Sequence, residues 1–92
     1  METILTLHPE GKQGVNIARS KYDTIREFIL KTLKEAGELS FADLDDLAVD
    51  SLSETFDGKV TWYIVTVKLD LEARGEIERV KGKKTQHLRL KV

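Results

Sequence analysis

Lys81, Lys83 and Lys84, grouped around Gly82 near the end of the chain, are the residues whose type and spacing point most directly at a chemistry. Three ammonium groups on a glycine-containing turn suit the phosphates or the minor groove of a nucleic acid. Arg79, Arg89 and Lys91 extend the patch, and Lys12, Arg19 and Lys21 are candidates to join it. The competing reading is that these lysines guard a hairpin edge against aggregation. Catalysis finds no comparable grouping. His8 and His87 are the only histidines, and neither has a partner at zinc or triad spacing. Asp43, Asp45, Asp46 and Asp50 lack the glycine and spacing of a calcium loop, so they read as a solvated helix face. No Gly-rich phosphate loop links a strand to a helix. The expectation is therefore a non-enzyme with no metal or other cofactor and no evident small-molecule ligand.

Charge along the chain is segregated. Residues 1–34 carry six bases and four acids, residues 35–57 eight acids and no base, and residues 58–92 nine bases and four acids. The net charge of −1 thus conceals two opposed surface potentials. Solvated faces that aid solubility are the plainer account of that segregation. At 92 residues the chain is expected to form one domain around a modest core. It has no cysteine, no basic leader with a long apolar run, and nothing near the ~20 apolar residues that span a bilayer. A cytoplasmic protein with no membrane partner is expected.

The elements that would position these residues follow from periodicity. Thr3–Leu7 alternates and ends at His8-Pro9, and Val15 and Ile17 alternate again. Residues 1–19 are therefore an N-terminal arm or strand pair. Ser20 and Asp23 resemble a capping box. Tyr22, Ile25, Phe28, Ile29 and Leu33 then run at helical spacing to Gly37. Leu39 lies in an extended link. Ser40 and Asp43 repeat the capping pattern ahead of Phe41, Leu44, Leu47, Ala48 and Leu52, whose helix turns Asp43, Asp46, Asp50 and Glu54 outward. Phe56 to Lys59 is a turn, and a third helix spans about Thr61 to Arg74, stopped by Gly75. Ile77 and Val80, the basic turn, and then Leu88, Leu90 and Val92 in alternation predict a hairpin.

Three helices, a turn and a terminal hairpin within residues 20–92 resemble a winged helix-turn-helix domain. The segment Val67–Val80 is similar to the helix-to-wing junction of bacterial winged-helix regulators. The N-terminal LHPEGKQG and the Trp62-Tyr63 opening of the third helix resemble a family of small, stand-alone bacterial winged-helix proteins of unassigned function. The expected class is mainly α with a small antiparallel hairpin, an α+β fold. What the resemblance implies is a DNA-binding protein acting in transcription regulation, with a homodimer as its expected form.

The third helix complicates that implication. Ile64, Val67 and Leu71 form one apolar stripe, and Trp62, Val65 and Leu69 form a second on nearly the opposite side. A helix apolar all round is usually buried all round. The second stripe is expected to be a buried seam under the N-terminal segment or an interface with a second copy. Trp62 fits core or dimer anchor better than base stacking. Thr61, Tyr63, Thr66 and Lys68 are left as candidate base contacts, with Asp70 and Glu72 expected to repel phosphate. Two functions stay open: binding of double-stranded DNA through these residues and Lys81, Lys83 and Lys84, or a protein-interaction or dimerisation module on the same scaffold.

Overall fold

Short alternating runs at Thr3–Leu5 (β1) and Asn16–Ala18 (β2) pair antiparallel, with Ile4 opposite Ile17, in the computed structural model, which describes residues 2–91. Thr6 N–H donates to Val15 O at 2.9 Å and continues the pairing beyond the strands. The loop between them passes Pro9 and Gly11 and returns through Gly14, whose α-carbon lies against the Thr6 carbonyl.

β2 runs directly into α1 (Arg19–Ala36). Ser20 and Asp23 consequently do not form the expected cap. Ala18 holds the cap position without a side-chain bond, and Arg19 N–H is satisfied by Glu2 O at 2.9 Å in the strand pair. With the first helical amide already paired across the hairpin, the helix starts one residue before Ser20, and Asp23 instead meets Arg19 at 3.4 Å. Tyr22, Ile25, Ile29 and Leu33 form the buried stripe. Gly37 ends α1 in a left-handed conformation (φ 82°), its N–H bonded to Leu33 O.

The extended link at Glu38–Ser40 is a strand, β3, and Ser40 caps α2 (Phe41–Leu52) through Oγ, which accepts Asp43 N–H at 3.1 Å. Leu44 and Ala48 are fully buried. Leu47, expected in the core, is 42% exposed. It stands ~60° around the helix from Leu44, outside the line along which α2 meets the rest of the fold. α3 (Val60–Ala73) buries Val60, Ile64, Val67 and Leu71, and the chain leaves it through Arg74 and Gly75.

The terminal hairpin comprises β4 (Ile77–Arg79) and β5 (His87–Leu90), and β3 joins it to give the antiparallel order β3-β5-β4. Leu39 and Arg79 both face Leu88 in register. Val92 lies outside the described residues. One continuous core holds the stripes of α1 and α3, Leu44 and Ala48 of α2, and Ile17, Ile77 and Leu88 from the strands. The result is a mixed α+β fold of three helices with small antiparallel strand groups. None of its helices is long and apolar enough to cross a membrane.

Candidate functional site

The side of α3 turned away from the core carries Trp62, Val65, Thr66, Leu69 and Ala73, spaced so that they share one face. Trp62 is 46% exposed and Val65 37%, so the expected buried seam is not formed within the chain. The N-terminal segment covers only the far end. Leu7, Gly14 and Val15 flank a small groove with Thr66 and Leu69, and Leu69 is half-buried there. Leu7 N–H is held by Asp70 Oδ1 at 2.9 Å on this side of α3.

Thr61 is exposed, and its Oγ1 donates to Asp45 Oδ2 at 3.3 Å, which ties the start of α3 to the acidic second helix. Tyr63 is half-buried. Its ring stands edge-to-face with Trp62 (centroids 4.9 Å apart) and Phe56 (5.0 Å), with the Lys21 ammonium 5.5 Å from its centre. Tyr63 thus links the exposed Trp62 ring to Phe56.

Lys68, expected to face a DNA groove, does not. It is 3% exposed, its Nζ donates to Glu72 Oε2 (3.4 Å) and to Gln86 Oε1, and it lies 5.3 Å from the Phe41 ring centre. Burial lowers its pKa, opposed by the Glu72 charge. Asp70 and Glu72 are also drawn into ion pairs and hydrogen bonds within the chain. Asp70 is fully buried and accepts from Tyr22 Oη, from Leu7 N–H at 2.9 Å and from Arg74 Nε at 2.9 Å. Glu72 is shared between Lys68 and Arg79. The three side chains sit between the two stripes, where the arm and the sheet close over α3. Sequence periodicity gave no sign of this, because their partners lie up to 63 residues away.

The turn between β4 and β5 presents Lys81, Lys83 and Lys84 to solvent, with Gly82 at φ 84°. Much of the surrounding positive charge is paired. Arg79 meets Glu72 at 3.0 Å, Arg89 meets Glu78 at 2.7 Å, and Lys83 meets Glu38 at 3.6 Å. Lys81 and Lys84 have no ion pair among the described residues. The outward face of α3, with Trp62, Val65, Thr66 and Leu69, adds no positive charge to these lysines.

Other chemistry is sparse. A cavity of about 500 Å³ lies between the arm, α3 and β4, but Glu72, Arg79 and Glu78 on its wall already hold charged partners. His8 Nδ1 accepts Glu10 N–H at 3.1 Å in a local turn. Among the described residues no three His, Asp or Glu side chains converge as a metal site.

A model of a protein family of unknown function (DUF6958) matches residues 3–88, and the chain belongs to that family. Neither the curated proteins nor the solved structures contain a match.

Proposed function

We propose that the chain is a winged-helix domain whose third helix serves protein contact rather than base reading. Support for the scaffold is the element order α1-β3-α2-α3-β4-β5 with sheet order β3-β5-β4, the arrangement expected of a winged helix. The observation that carries the contact role is the outward face of α3. It exposes Trp62 and Val65 beside Thr66 and Leu69, and no charged side chain stands among them. A groove-reading helix needs donors and acceptors near its N-terminal end. This one offers Thr61, bonded to Asp45, with the half-buried Tyr63 and Thr66, and the lysine that sequence assigns to the role is tied to Glu72 and Gln86. An exposed aromatic flanked by aliphatic side chains is instead the composition of an interface core.

The test is capture of protein by the tagged full chain, compared with Trp62→Glu. A specific protein, or a second copy of the chain, retained by the native form and lost by the variant is the expected result. Equal recovery by both forms would overturn the assignment.

Duplex DNA binding stays as a second reading on one observation, the unpaired Lys81 and Lys84 at the exposed wing tip. Retention on duplex DNA at ~50 mM salt, with a salt dependence reduced by about two charges in a Lys81→Ala/Lys84→Ala variant, would support it.

A further inference from the structure

We infer that the occupant of the α3 face is a second copy of this chain, packed antiparallel across a two-fold axis near Val65 and Thr66; the inference rests on the protein-contact function proposed above. Three observations combine. Trp62, Val65 and Leu69 follow one another at the three-then-four spacing of a helix–helix seam. A two-fold between residues 65 and 66 sets Trp62 of one copy on Leu69 of the other. It also brings each indole towards the partner's half-open groove beside Leu7 and Val15.

The charges flanking the seam are the second observation. Asp45 of the acidic α2 stands beside Thr61, at the N-terminal end of α3. The arm, whose Lys12 is paired with Glu10 at 3.5 Å, borders Ala73 at the other end. An isologous contact reverses both directions along the face, so the acidic α2 of each copy comes over the arm of its partner. A parallel arrangement would place α2 on α2, where Asp46 and Asp50 are exposed.

Size is the third. Leu7, Val15, Trp62 and Val65 are each between 37% and 46% exposed. With their polar rim they would bury about 1,000 Å² over two copies, the low end for a specific interface. A weak, reversible dimer, with affinity roughly between micromolar and millimolar, is therefore expected.

Sedimentation of the full chain from about 1 µM to 1 mM tests this, a range that brackets the expected midpoint. The mass should rise from 10.5 kDa towards twice that value, with Trp62 emission shifting to shorter wavelength over the same range. Val65→Glu, at a site already 37% exposed, should leave circular dichroism unchanged and abolish the rise. The chain has no native cysteine, so Val65→Cys should oxidise to a disulfide-linked dimer, while Lys84→Cys on the wing should not. A native chain that stays monomeric at 1 mM, with Val65→Cys failing to cross-link, overturns the self-association. If that monomer still captures a different protein in a Val65-dependent way, protein contact stands and only the partner is wrong. If it binds duplex DNA in a Val65-dependent way, both assignments fall.

Discussion

The Tyr22 hydroxyl on α1 donates to Oδ2 of Asp70 on α3, and the same carboxylate receives Leu7 N–H from the arm and Nε of Arg74. One buried anion thus fastens three parts of the chain. Its environment is costly for a charge unless every lone pair is used, and here three donors converge on it. Asp70→Ala strands the Leu7 amide and the Tyr22 hydroxyl together. A loss of about 3–5 kcal/mol in urea unfolding is expected, enough to unfold much of a domain this small.

Tyr22 itself carries a pH signature. Burial first, then the Asp70 hydrogen bond and charge, push its pKa up to about 12 from 10.0. Because the folded pKa is the higher one, the protonated phenol stabilises the fold fully below pH 10, and that contribution is lost as pH rises towards 12. Native protein should lose stability across this window. Tyr22→Phe, less stable at neutral pH by about 1–3 kcal/mol, should show a shallower decline in the same titration. Parallel curves would show that Tyr22 does not titrate there.

Trp62 and Leu71 lie on opposite sides of α3 and should behave oppositely. Leu71→Ala empties a fully buried position and should cost about 2–5 kcal/mol. Trp62→Ala removes a side chain that is 46% exposed and should cost no more than about 1 kcal/mol in dilute protein, where association plays no part. Iodide should quench the single tryptophan readily at micromolar concentration, and less as concentration rises.

Lys68 should prove structural. Lys68→Ala removes the ammonium that the half-buried Glu72 and Gln86 share and should destabilise by about 1–3 kcal/mol. Any retention of the chain on duplex DNA should be unchanged, whereas a base- or phosphate-contacting lysine would weaken it and flatten its salt dependence.

The two serines offer a compact comparison. Ser40→Ala removes the hydroxyl that accepts Asp43 N–H and should cost about 1 kcal/mol. Ser20→Ala, inside the first turn of α1 with no side-chain cap bond, should leave thermal unfolding nearly unchanged.

Local periodicity determined much of this protein. The buried stripes of α1 and α3, the glycine stops at Gly37 and Gly75, the Ser40 cap and the basic terminal hairpin are all properties of neighbouring residues, so they are legible in the chain. Tertiary structure decided the rest because the deciding partners are remote in sequence. The Ser20–Asp23 pattern yields to β2, whose pairing with β1 satisfies the first helical amide. Glu38–Ser40 is a strand only because β5 returns beside it. Lys68, Asp70 and Glu72 look like exposed polar positions on a helical wheel. The arm, Gln86 and Arg79 arrive from elsewhere, strip them of water and consume their charge, and α3 is left with Trp62 and Val65 as its open face.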